Sequence, residues 1–343
     1  MDGFLPSTAP TARTGVRAAG ARFRPRGRYG DGVIARAHGS TTQRAMLTLA
    51  LGTLVITLQD PIIKATMGEY PVMEAVAIRS IVALPIFLVL LRRLGGWRVA
   101  FQANTRQAIV RALLFMTAYT AYFLAFPAMP LADVVALYFT APLFVVLLSR
   151  PYLGERQSLS RWLAVLVGFA GALIVAQPGM GGIGWAAALP ILAAALYAFG
   201  QLMARRYGDD TSATVLSFHQ NWVYLVGALL FSFIVMPFAA APGEMGSLAF
   251  LTRAWEVPDP TDLLLLALCG PIAVGGTILL TKAYREAPPG AVTPLEYMAL
   301  IWDTLWGFLV FAEVPDAATV VGAIVIIGSG VFAVTRGGMA RTA

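Results

Sequence analysis

Four charged residues on the two sides of one short turn pose the first chemical question. Gln59-Asp60-Pro61-Ile62-Ile63-Lys64 leads into a turn at Gly68-Glu69-Tyr70-Pro71, and the chain returns through Glu74 to Arg79. The flanking residues are apolar, so these charges lie near the end of a hydrophobic hairpin. Counted outward from the turn, Lys64 stands opposite Glu74 and Asp60 opposite Arg79. A charge inside lipid is costly and normally faces a partner or a wet cavity. Asp60 and Arg79 therefore read as an ion pair that locks the hairpin, or as groups lining a cavity. Losing one partner of such a buried pair costs about 3–5 kcal/mol. Lys64 and Glu74 lie nearer the interface and read as boundary charges.

Asp303 is the second focus. It sits in the middle of the apolar run 290–312, with Trp302 and Trp306 beside it and no cation in the same run. A lone carboxyl at that depth should either hold a proton or face a cavity. It is a candidate for proton exchange or for anchoring a cationic solute; the structural alternative is a neutral acid bonded to a neighbouring helix. Glu296 precedes it by two helical turns on the same face, so the two would make one wall acidic. His219-Gln220-Asn221-Trp222 places four hydrogen-bonding side chains in succession, of which at most two can face one cavity. Gln220 is expected inward, with Trp222 or His219 beside it; glue between helices is the alternative. Tyr119, Tyr122, Tyr138, Tyr297 and Trp302 complete the set. An aromatic wall with carboxylates suits a flat or cationic organic molecule, although packing accounts for any single ring.

The elements that must hold these groups are hydrophobic helices. Hydrophobic residues make up 58% of the 343 and charged residues 13%, half the charge of an ordinary soluble domain. Runs long enough to span a bilayer occur at 45–67, 71–92, 107–127, 131–150, 160–177, 184–205, 212–238, 261–283, 290–312 and 317–335. They are too long and too continuously apolar for barrel strands. Residues 1–43 are Arg-rich and acid-poor, with Gly and Pro and no apolar period. They read as a disordered basic cytoplasmic tail, a transit peptide or a start assigned too early. The single cysteine, Cys269, and two histidines exclude a disulfide framework and most metal centres. No cofactor is implied, and the basic balance does not point to nucleic acid.

The basic residues also orient the chain. With the N-terminus in the cytoplasm, 22 Lys and Arg fall on that side, Arg111 among them, against Lys64 and Arg253 opposite and Arg79 within a span. That asymmetry fits ten passes with both ends inside. A shift of 141 residues lays Asp60 on Gln201, Lys64 on Arg205 and Arg79 on Gln220. A shift of 158 lays Val134 on Val292, Tyr138 on Glu296, Ala141 on Ala299 and Glu155 on Glu313. The chain is thus a duplication. Five passes per copy is odd, so the second copy is upside down, with a solute site expected near the midplane between copies. Gly168, Gly171, Ala172, Gly322, Gly328 and Gly330 have the small-residue spacing of closely packed membrane helices, within the chain or in a homodimer.

The segment 132–171, with Ala141-Pro142 in mid-helix and Leu153-Gly154-Glu155-Arg156 before a glycine-bearing helix, resembles the second half of an EamA domain, the five-helix unit of the drug/metabolite transporter superfamily. The second copy repeats it at Val292 to Ala299, Phe311-Ala312-Glu313, Gly322 and Gly328. One departure is Leu300, which stands where the first copy has Pro142, so a weaker kink is expected there. The resemblance implies an all-α polytopic membrane protein of ten helices in two inverted five-helix repeats, 44–178 and 184–336, with a short cytoplasmic tail at 337–343. It implies alternating-access transport of a small organic metabolite in the inner membrane, without ATP hydrolysis. An aromatic, cationic or zwitterionic solute is expected, such as an amino acid, S-adenosylmethionine, a flavin-like molecule or a drug. Proton coupling would fall to Asp303 or Glu296. A passive channel or receptor is the first alternative. An intramembrane enzyme is the weakest: phosphate-loop, GxSxG and HExxH motifs are absent, and Asp60 and Asp303 are expected at different depths.

Overall fold

Three prolines, Pro61, Pro142 and Pro294, sit at breaks in the apolar segments, whereas Pro85 and Pro271 lie inside helices that run on. In the computed structural model, which describes residues 29–66, 70–101, 104–125, 131–176, 185–207, 210–235, 254–312 and 314–337, the first segment is split in two. Helix α1 (Tyr29–Thr57) stops, Leu58 and Gln59 form a turn, and α2 (Asp60–Thr66) restarts. Pro61 has no N–H to give the Thr57 carbonyl and its ring crowds that turn. α1 begins inside the stretch assigned by sequence to the basic tail; residues 1–28 lie outside the described residues.

The hairpin returns through α3 (Val72–Arg93), and after a 3₁₀ turn (Trp97–Phe101) comes α4 (Thr105–Leu124). The next segment is again broken, into α5 (Leu131–Tyr138) and α6 (Ala141–Leu153), with Pro142 one residue into α6. Gly154, at φ 73°, closes α6 in the left-handed conformation that glycine adopts without penalty. Then follow α7 (Leu159–Ala176), α8 (Ala188–Arg206), α9 (Ala213–Val235) and α10 (Pro260–Glu286). Asp259 caps α10 by accepting from the N–H groups of Thr261 and Asp262 at 2.8 and 2.9 Å. The last elements are the single turn α11 (Pro289–Val292), a 3₁₀ turn (Thr293–Tyr297), α12 (Met298–Phe311) and α13 (Ala317–Gly337).

The second copy therefore does break, contrary to the weak kink expected from Leu300. Pro294 supplies the break that Pro142 makes in the first copy, and the 3₁₀ turn ends at Tyr297, which the 158-residue shift pairs with Phe139. In α8 the reverse holds. Leu202 stands where α2 has Pro61, and the helix runs through unbroken.

Every described element is a helix, a 3₁₀ turn or a connection. Thr41–Ile63, Val72–Arg93, Ala188–Arg206 and Pro260–Glu286 are each long and apolar enough to cross a bilayer. The outer faces are apolar: Leu230 and Phe233 on α9, Leu264 on α10, and Ile324 and Val331 on α13 are all exposed. A surface of this kind is stable against lipid and not against water. The protein is an all-α polytopic membrane protein.

Packing relates the halves. α1 lies on α10 as α4 lies on α8; α3 lies on α10 as α4 lies on α9; α6 lies on α8 as α12 lies on α1. α3 packs on α9, and α7 on α13. Each pair maps onto another, or onto itself, when the copies are exchanged. At one end of the bundle the 254–262 segment clasps the first hairpin. The Glu256 N–H donates to Glu74 at 3.3 Å, and the Tyr70 hydroxyl donates to Asp262 at 3.0 Å. Glu74 is thus bonded to a backbone amide; the side chain of Lys64, its expected partner, lies outside the described residues. At the other end Arg205 pairs with Glu155 at 3.2 Å and donates to the Arg285 carbonyl.

Candidate functional site

A cavity of about 300 Å³ lies between α1–α2, α3, α4, α5, α8, α9 and α10. One wall is aromatic: Phe115, Tyr119, Tyr122, Tyr138, Tyr197 and Tyr224. The rings hold one another, Tyr122 against Tyr138 at 4.8 Å, Tyr138 against Tyr197 at 6.0 Å and Tyr119 against Tyr224 at 5.8 Å. The other polar lining groups are Gln59, Asp60, Arg79, Arg111, Gln201, Gln220 and Asn221, with Ser217, Thr277 and Thr281, and Phe87 adds a further ring. Of the residues singled out by sequence, the fold brings Asp60, Arg79, Tyr119, Tyr122, Tyr138 and Gln220 to this one space.

Asp60 and Arg79 do not form the expected ion pair. Arg79 donates to Gln59 Oε1 at 2.9 Å and spreads over the rings of Tyr119 and Tyr224, at 5.5 and 5.7 Å. Asp60, at the restart after the break, turns instead to Asp303 on α12, and the two carboxyls lie within hydrogen-bonding reach. The depth difference expected between them is absent, because both segments are broken and counting residues from the turns misplaces them. Asp303 is not itself part of the lining; its Oδ1 is buried without a partner, as is the indole nitrogen of neighbouring Trp302. Trp306 reaches across to the hydroxyl of Thr57, at the end of α1, at 3.2 Å.

Glu296 also stands behind the lining. It accepts from the Tyr197 hydroxyl at 2.6 Å and has Tyr284 as a second neighbour. The 3₁₀ geometry of its turn takes it off the helical face that it was expected to share with Asp303. Tyr197→Phe is expected to lower thermal stability by about 1–3 kcal/mol by stripping a buried acid of its partner. Unchanged unfolding in detergent would show that Tyr284 suffices.

Three more residues point elsewhere. His219 is fully buried; its Nδ1 accepts from the Trp222 indole at 2.7 Å, so Nε2 carries the proton and donates to the Ala100 carbonyl at 2.8 Å. That chain pins the 97–101 turn to α9 and leaves neither side chain in the cavity. Tyr297 lies between α7 and α13, and its hydroxyl donates to the Phe139 carbonyl at 3.3 Å. That carbonyl is free because the Leu143 N–H bonds to Thr140 across the break.

Sequence reasoning missed Arg111, which it counted among the cytoplasmic charges. Arg111 lies on α4, is 1% exposed and lines the cavity. Its Nε donates to the Gly200 carbonyl at 3.0 Å, Nη1 to Gln220 at 3.4 Å, and Nη2 to Gln201 at 3.4 Å and Thr281 at 3.2 Å. Its plane lies over Phe115, 4.3 Å from the ring centre. The two amides that replace the charges of the first copy thus serve a guanidinium from another helix. Among the described residues no cluster of three or more His, Cys, Asp or Glu is placed to hold a metal.

Comparison with known proteins bears directly on this geometry. Residues 43–177 match the EamA-like transporter family. The chain is 31% identical over 245 residues to a riboflavin transporter of Rhizobium johnstonii, covering 71% of this chain and 74% of the relative. It is 27% identical over 287 residues to a pseudopaline exporter of Pseudomonas aeruginosa, covering 82% and 93%. A solved crystal structure superimposes with a TM-score of 0.68 at 17% identity, covering 84% of this chain and 98% of the other, which shows a shared fold.

Proposed function

Since the chain belongs to the EamA-like transporter family, we propose that its central cavity carries a flat aromatic metabolite through the cytoplasmic membrane by alternating access. The protein is a multi-pass, small-molecule transporter by family; the substrate class, mechanism and orientation are the proposal. The basic-residue asymmetry and the exchange symmetry of the packing support ten passes, both termini in the cytoplasm and two inverted five-helix halves.

One observation carries the reading. A cavity between the halves joins seven aromatic rings, Phe87 and the six of the wall, to two guanidiniums, a carboxyl and four amides. Rings offer stacking surface, and the polar groups fix orientation, as small-molecule sites require. The relative named a riboflavin transporter fits a flat heteroaromatic solute, while the relative named an exporter leaves the direction of transport to experiment. Coupling is assigned to Asp60 and Asp303, and the small-residue faces of α7 and α13 are used within the chain, with a homodimer left to the free face at Gly328.

The test is flux in proteoliposomes containing the full chain. A panel of radiolabelled aromatic metabolites, riboflavin included, is measured inward and outward with and without a pH gradient. At least one is expected to accumulate above protein-free liposomes and to do so faster with the gradient. A panel that moves no faster than through bare lipid would sink the proposal.

A further inference from the structure

Arg111 has a feature that helix packing does not require: it is a buried cation balanced by no acid. All its protein acceptors are neutral, namely a backbone carbonyl, two amide oxygens and a hydroxyl. Among the described residues Arg111 forms no salt bridge; those present join Arg205 to Glu155 and Lys282 to Glu286. Arg79 differs, because Asp60 stands near enough to offset its charge.

Three details point the Arg111 guanidinium at a ligand. Its bonds use the Nε–H, one Nη1–H and the Nη2 group, so one of the five N–H groups of an arginine remains for a further acceptor. The group is immobilised, since Phe115 backs its plane and Gly200 keeps that ring in place. A Cβ on Gly200 would collide with the Phe115 ring. The cation is also confined to one half, because the 158-residue shift lays Arg111 on Cys269. A device serving only to pack α4 on α8 would have its counterpart where α10 packs on α1.

We infer that Arg111 selects the charge of the permeant: the transported molecule carries an anionic oxygen group beside its aromatic ring, and that group completes the coordination of the Arg111 guanidinium. This inference rests on reading the cavity as the transport site. Neutral amides hold the guanidinium in place without discharging it, so its field stays available to an incoming anion in a low-dielectric setting. A cationic ring, which the carboxylates seemed to invite from sequence alone, meets a fixed like charge. The rings of the aromatic wall then bind what the anion brings with it.

The experiment uses one ring with three charges: indole-3-propionate, 3-methylindole and tryptamine. Binding to the full-length protein in detergent is measured by equilibrium dialysis, and flux of the same compounds in proteoliposomes. The anion is expected to bind about tenfold or more tighter than the neutral ring, as a charge-assisted hydrogen bond would give, and tryptamine weakest. Arg111→Gln should level the three. Gln201→Glu places a carboxylate beside an intact Arg111 and should weaken the anion and favour tryptamine. It keeps the guanidinium and its packing, so it decides the matter even if Arg111→Gln does not fold. Equal binding of the three compounds, binding of none, or an order that survives Gln201→Glu would overturn the inference. The expected order in dialysis without flux would leave Arg111 as the anion-selecting group and remove the transport reading instead.

Discussion

Asp303→Asn should abolish pH-driven accumulation of substrate in proteoliposomes while substrate-for-substrate exchange continues. Asp60 and Asp303 lie carboxyl to carboxyl, and a hydrogen bond between two carboxyls exists only when one of them carries a proton. Asp60 is the member open to the cavity, and Asp303 is the member behind it with an unpartnered buried oxygen. The two sit just beyond the breaks in their segments, on α2 and α12, and so on opposite halves of the proposed duplication. Rocking of the halves would part them, and a parted carboxyl can release or take up the shared proton. Asparagine keeps the shape and the hydrogen bond but cannot ionise. The loss of accumulation should be about tenfold or more, since coupling without a releasable proton leaves only equilibration. Asp60→Asn should behave alike, and the double variant should be no worse than either single one, because one shared proton is lost in every case. Normal accumulation by Asp303→Asn would remove this pair from the mechanism; losses that multiply in the double variant would show two independent sites.

The helices and most of the cavity were legible because both follow from periodicity and duplication. Apolar runs of spanning length fixed the elements. Polar residues inside those runs are few, so Asp60, Arg79 and Gln220 stood out, and the repeat carried Tyr138 with them. The arrangement within the cavity was less legible. Arg111 was counted with the cytoplasmic charges because a cation one turn inside a span looks like an ordinary boundary charge. The signal that could have found it was Gln201 and Gln220: two buried amides standing where the other copy has charges need a donor from elsewhere. Asp60 and Asp303 were set at different depths because residues were counted along straight helices. Pro61 and Pro294 break those helices, and a break changes both depth and facing. Pro142, Pro294 and the switch from Pro61 to Leu202 are local facts of sequence; where the restarted helix then points is a matter of packing.

Gly168→Val should be strongly destabilising, by about 3 kcal/mol or more. A Cβ at Gly168 would stand 2.5 Å from Tyr297 Cδ2, 2.8 Å from its Cε2 and 3.0 Å from the Ser329 hydroxyl. Even alanine overpacks such a site, at about 1–3 kcal/mol, and valine adds two methyls to the same collision. The ring cannot yield easily. Tyr297 is fully buried, its hydroxyl bonds to the carbonyl freed at the α5–α6 break, and its ring lies 5.9 Å from that of Phe139. Moving it would leave a buried carbonyl unpaired at membrane depth, a second penalty on top of the steric one. Phe139 and Tyr297 are paired by the 158-residue shift, their rings meet in the fold, and Gly168 is the seat that lets Tyr297 reach that position. Two comparisons separate the causes. Tyr297→Phe keeps the ring and loses only the hydrogen bond, and should cost about 1–3 kcal/mol. Gly328→Ala, on the facing helix α13 with open space around it, should be neutral or stabilise by up to about 1 kcal/mol, as alanine favours a helix over glycine. Thermal unfolding in detergent reads all three. If Gly168→Val and Gly328→Ala melted together, the close approach of α7 to Tyr297 would not be what holds Tyr297 between α7 and α13.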